Sequence, residues 1–107
     1  MRENLWEETI GVLKTHCLDW EDVDAVILDG DDVTISKENF EEVARNTFYD
    51  SGFGAAEIRS DLIIIGRDWW LERNEYDGSE WWEFRTMPPI PGKKVTVTKL
   101  TTGDWGG

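Results

Sequence analysis

The chain has 107 residues, 39% hydrophobic and 32% charged, which is too apolar for a disordered tail and about the size of one domain. Its 23 acidic residues against 11 basic ones give a formal charge of −12, a potential that disfavours nucleic acid and anionic membranes as direct partners. No apolar run approaches the ~20 residues of a membrane span. A single cysteine, Cys17, excludes an intrachain disulfide, and the acid-bearing start MRENLWEETIGVLK lacks the apolar core of a signal peptide, so a cytoplasmic setting is expected.

The first predicted element is a helix over NLWEETIGVLKTHCL. Trp6, Ile10, Leu13 and Cys17 recur at i, i+4, i+7 and i+11, one stripe of a helix, and Asn4 with Glu7 makes a start signal. Gly11 inside it costs ~1 kcal/mol against alanine, so this helix relies on packing. VDAVILDGDDVTIS then reads as a hairpin in which Leu28 faces Val33 and Val26 faces Ile35, whichever turn is used. SKENFEEVARNTFYDSG reads as a second helix, capped by Ser36 and ended by Gly52, with Phe40, Val43, Ala44 and Thr47 facing inward.

Residues 53–60 are expected as a loop or short strand, and DLIIIGRD as a buried strand with a bend at Gly66. A hairpin around Asp77-Gly78 follows, with strands near 69–75 and 80–86. MPPIPG is an extended connector, KKVTVTKL alternates as a last strand, and residues 101–107 form a tail. The order α-β-β-α-β-β-β-β implies an α+β fold: a single domain with a core over residues 1–100. Two helices would pack on a twisted, mostly antiparallel sheet of five to six strands.

Adjacent strand residues point to opposite faces, so Trp69 and Trp70 divide between faces, as do Trp81 and Trp82. One of each pair enters the core beside Leu71 and Phe84. A two-residue turn would stack Arg73 on Trp82 and Arg85 on Trp70, but would oppose Glu72 to Glu83 and Glu75 to Glu80. A four-residue loop would pair Glu72 with Arg85 and Tyr76 with Trp81, and both registers stay open. The surplus rings are covered by arginines and the proline connector, or else form a partner surface of Trp70, Tyr76, Trp81 and Arg85.

The charge is lopsided. Residues 1–61 hold 16 acids and 5 bases, and residues 62–107 hold 7 and 6. DWEDVDAVILDGDD, residues 19–32, carries seven carboxylates and no base. Solubility alone accounts for such a charge. The sharper expectation is an acidic face of Asp22, Asp24, Asp29, Asp31, Asp32, Glu38, Glu41 and Glu42 that meets a basic protein. DGDDVTISKENFEEV is no EF-hand, because Leu28, Val33 and Asn39 stand where a first oxygen ligand, the glycine and the bidentate glutamate belong. Only a loose, weak cation site at Asp29, Asp31 and Asp32 stays open. His16 and Cys17 point about 100° apart on a helix and are too few for zinc. With no phosphate loop and no nucleophile elbow, neither catalysis nor a cofactor is expected.

DWWLERNEYDGSEWWEFRTMPPIP, residues 68–91, resembles the C-terminal signature of small uncharacterised proteins carried by phages and prophages of Gram-positive bacteria. The likeness lies in the Trp pairs, EYDGSEWWEF and the prolines, roughly a quarter of the chain. It implies no activity for any residue. Small acidic proteins of mobile elements include inhibitors of host defence, some imitating the phosphates of DNA. The partner this implies is a basic host surface, such as the nucleic-acid groove of a nuclease, with a basic toxin as a variant. The competing expectation is a phage structural or assembly component that self-associates through the aromatic sheet face.

Overall fold

The computed structural model describes residues 2–50 and 55–102. Its order is β1 (Arg2–Asn4), α1 (Leu5–Thr15), β2 (Ala25–Leu28), β3 (Val33–Ile35), α2 (Lys37–Arg45), β4 (Phe48–Asp50), β5 (Leu62–Ile65), β6 (Trp69–Tyr76) and β7 (Ser79–Thr86). The α+β class is as expected: both helices lie on one face of a five-stranded antiparallel sheet ordered β3-β2-β5-β6-β7. A separate two-stranded antiparallel sheet joins β1 to β4.

α1 starts where the sequence places it, with the Asn4 side chain accepting from the Glu7 N–H at 2.9 Å. Its end differs from expectation. Cys17 takes φ 60° just past the helix, its N–H donating to Lys14 and that of Leu18 to the Leu13 carbonyl. This is a Schellman stop with cysteine in the left-handed position that glycine usually fills. Cys17 therefore leaves the stripe and is exposed. The buried line is Leu5, Thr9 and Leu13: of the expected stripe Leu13 is fully buried, Trp6 and Ile10 are partly buried, and Leu5 and Thr9 join from beside it.

α2 is capped by Ser36, whose hydroxyl oxygen accepts from Asn39. It stops at Asn46 instead of running to Gly52, which lies outside the described residues. Thr47, Phe48 and Tyr49 are β-formers, and β4 finds a partner in β1, so pairing overrides the helical pattern. Phe40 and Ala44 are buried as expected, Thr47 is half-buried, but Val43 is 56% exposed.

The hairpin β2–β3 keeps the expected register, Leu28 opposite Val33 and Val26 opposite Ile35. β6 and β7 settle the second hairpin: Leu71 faces Phe84, Arg73 faces Trp82 and Trp70 faces Arg85. Asp77 (φ 51°) and Gly78 (φ 87°) form the two-residue turn, the positive-φ pair of a type I′ hairpin. Trp69 and Trp82 enter the core with Leu71, Ile64, Val26, Leu13 and Phe40. Trp70 and Trp81 take the other face. The expected last strand is absent: residues 93–100 form no strand and are exposed like the proline connector.

Candidate functional site

All eight residues of the expected acidic face belong to the run from Trp20 to Arg45, which builds the β3 side of the sheet. Asp22 and Asp24 precede β2, and Asp29, Asp31 and Asp32 form the tight β2–β3 turn. Glu38, Glu41 and Glu42 lie at i, i+3 and i+4 on α2, a stripe directed away from buried Phe40 and Ala44. With Arg45 they rim a surface depression.

The acidic turn is fastened rather than loose. The Asp61 carboxylate accepts from the Gly30 N–H at 2.7 Å, and its carbonyl accepts from Asp29 at 3.0 Å. Arg59 bridges Asp61 at 2.7 Å and Asp31 at 2.9 Å. The Arg59 guanidinium holds the Asp61 carboxyl down at about 2, while its own pKa rises through the same bonds. Arg45 pairs with Glu41 at 2.7 Å. The other six carboxylates, Asp22, Asp24, Asp29, Asp32, Glu38 and Glu42, make no ion pair among the described residues. Nor does any group of three or more His, Cys, Asp or Glu there have a metal-holding arrangement.

Strand parity puts Trp70, Tyr76, Trp81 and Arg85 together on the sheet face turned from the helices. Ala25, Ile27, Ile63 and Ile65 share it, all half-buried, so this face is an apolar field with an aromatic end. Tyr76 is 76% exposed at its rim. Arg85 does not stack on Trp70. It sits 3.7 Å from Glu72 and 4.0 Å from Glu83, placing a cation between the two acids that this register opposes. The Trp70 Nε1–H donates to Glu72 at 2.6 Å.

The inner face holds a group that the sequence does not announce. The Arg73 side chain is only 3% exposed. Its Nη1 lies 3.3 Å from both Glu8 oxygens, and its Nη2 donates to Glu80 at 3.0 Å and to the Tyr49 hydroxyl oxygen at 3.3 Å. The guanidinium also sits 4.9 Å from the Trp82 ring centre and 5.5 Å from that of Tyr49. The Tyr49 hydroxyl in turn donates to Glu8. Glu80 accepts from the backbone N–H groups of Glu57 and Ile58 at 2.7 and 3.2 Å, which turns it under the sheet and away from Glu75.

Burial, then the Glu8 carboxylate, pushes the Tyr49 hydroxyl pKa up. Burial works against the Arg73 charge, yet Glu8, Tyr49 and Glu80 together raise its pKa. The partners of Arg73 come from α1, β4 and β7, so the group locks these elements together. The only sequence signal was the Arg73–Trp82 pairing of the two-residue register. Beside it lies a polar cavity of about 330 Å³ that Arg73, Asn74, Glu75 and Glu80 help to line. A second cavity of the same size, between α2 and β2–β3, has apolar walls from Leu28, Ile35, Phe40, Val43 and Leu62.

No described helix is long and apolar enough to cross a membrane. Compared with protein-family models, with curated proteins and with solved structures, the chain matches none.

Proposed function

We infer that the protein is a non-catalytic, cytoplasmic interaction protein of a mobile element whose β3-side carboxylates dock on a basic protein surface, in the manner of a nucleic-acid mimic. The observation that carries this reading is the set of six acids without ion-pair partners among the described residues, along the continuous run from Asp22 through β2 and β3 to α2. A carboxylate left without an internal cation keeps its field for a partner, and duplex DNA presents about one charge per 1.7 Å of axis to the same kind of groove. The fastened Asp29–Asp32 turn holds part of that array in place before contact, which lowers the ordering cost of binding.

The test is capture from host lysate at low and high salt, with duplex DNA as competitor. The expected result is a basic protein that both salt and DNA displace, and that is lost when Glu38 and Glu42, or Asp29 and Asp32, become lysine. Capture indifferent to salt, competitor and charge reversal overturns the reading. A second reading, self-association through the outer sheet face, draws on the apolar field of Ile27, Ile63, Ile65 and Trp70. Ile63→Lys should then dissolve any oligomer seen by light scattering, and an unchanged oligomer removes this reading.

A further inference from the structure

β7 closes one side of the main sheet and β3 the other. β7 is guarded: α1 lies against it, and the Trp82 N–H donates to Glu8 Oε2 at 3.2 Å. A carboxylate seated on an edge N–H stops a further strand from pairing there. β3 carries no such guard among the described residues. It is Val33-Thr34-Ile35, with Val33 46% exposed, and it is entered from the turn that carries Asp31 and Asp32.

Beyond β7, residues 87–102 run as an arm in which every residue is exposed. The arm displays Ile90, Val95, Val97 and Leu100 to solvent, and its sequence contains Lys93, Lys94 and Lys99 but no Asp or Glu. The extents are 57 × 33 × 29 Å. The Cα radius of gyration is 18.0 Å, against about 13 Å for a compact chain of this length. Val95-Thr96-Val97 has the period-2 pattern of a strand and repeats the order of Val33-Thr34-Ile35.

We propose that the arm of one copy adds as a strand to the β3 edge of a second copy. Val95, Thr96 and Val97 lie parallel to Val33, Thr34 and Ile35, which brings Lys93 and Lys94 beside Asp31 and Asp32. The valines extend the helix-side face and Thr96 meets Thr34 on the other, the like-with-like pairing that stabilises neighbouring strands. Charge selects this occupant, since a +3 arm meets the acidic half of an otherwise like-charged molecule. The chain's own β3 lies at the far edge of the sheet, four strand spacings or about 19 Å from β7. Such a contact joins two different surfaces, and reciprocal exchange between two copies closes it.

Sedimentation velocity on the full chain across concentration, at low and high salt, tests this. The expected behaviour is association that grows with concentration and weakens with salt. Thr96→Pro, in an arm that builds no part of the core, should abolish it. K93E/K94E and D31K/D32K should each weaken self-association about tenfold or more, equivalent to 1.4 kcal/mol. Mixing those two variants should restore it, because each arm then meets an edge of opposite sign. A chain that stays monomeric overturns the proposal, as does a mixture that fails to recover. Association that ignores the arm variants but is lost in Ile63→Lys also overturns it and assigns the contact to the outer sheet face.

Discussion

Arg73 shows most clearly how one side chain governs its neighbours. Its guanidinium is sandwiched by Tyr49 and Trp82 and held by Glu8 and Glu80. Arg73→Ala leaves one largely and one fully buried carboxylate facing each other without a cation, which should cost about 3–5 kcal/mol. Urea unfolding followed by tryptophan fluorescence measures it. Replacing all three charges by apolar residues, R73M/E8L/E80L, should be milder than the single change, because a buried ion group contributes little net stability while a broken one costs the orphaned charges. A triple variant weaker than the single would refute that account. Tyr49 gives this group a pH limit. Its hydroxyl holds its proton more tightly when folded than when unfolded, so its contribution is complete below about pH 10 and is lost as pH rises above that value. The expected result is an alkaline fall in unfolding free energy that Tyr49→Phe flattens.

Elements were legible in the sequence where periodicity and local chemistry agreed. Asn4 and Ser36 marked two helix starts and Asp77-Gly78 the place of a hairpin, because a cap or turn acts within a few residues. The hairpin's register stayed open in the sequence, since each loop length made some favourable cross-strand pairs. The end of α2 was not legible, since β1 lies more than forty residues away from β4 in sequence and periodicity carries no record of such a partner. The last strand failed for the opposite reason: KKVTVTKL has the pattern, but the edge beside it is occupied by Glu8. The acidic run was readable as composition, whereas the Arg73 group joins residues 8, 49, 73 and 80 and leaves no local signature. Gly66 was legible as a bend, and its cause is a close approach. A Cβ there would stand 2.0 Å from the Trp69 ring, in a turn whose Gly66 N–H donates to the Trp69 carbonyl at 2.9 Å. Gly66→Ala must displace a core tryptophan and should cost about 1–3 kcal/mol or more by overpacking. Near-ultraviolet circular dichroism should report the moved ring, and an unperturbed spectrum would show that the bend has room to give.

Across the whole molecule the sign of the salt effect separates two contributions. Exposed pairs such as Arg45–Glu41 and Arg59–Asp31 lose strength as salt rises, but pairs this open to solvent contribute little to stability. Against them stands repulsion within a chain of net charge −12, concentrated in a half whose free carboxylates have few cations nearby. Screening shortens from about 30 Å at 0.01 M to about 3 Å at 1 M salt, so added sodium chloride removes the many long-range repulsions before it weakens the few short contacts. The Arg73 group, largely buried, responds less than these exposed pairs. The urea midpoint should therefore rise with salt, and rise less in E38Q/E42Q, which takes two charges from the crowded side without touching the core. A midpoint that falls with salt would mean that ion pairs, and not surplus carboxylates, dominate the surface, and the acidic flank would then have little field left to offer a basic partner.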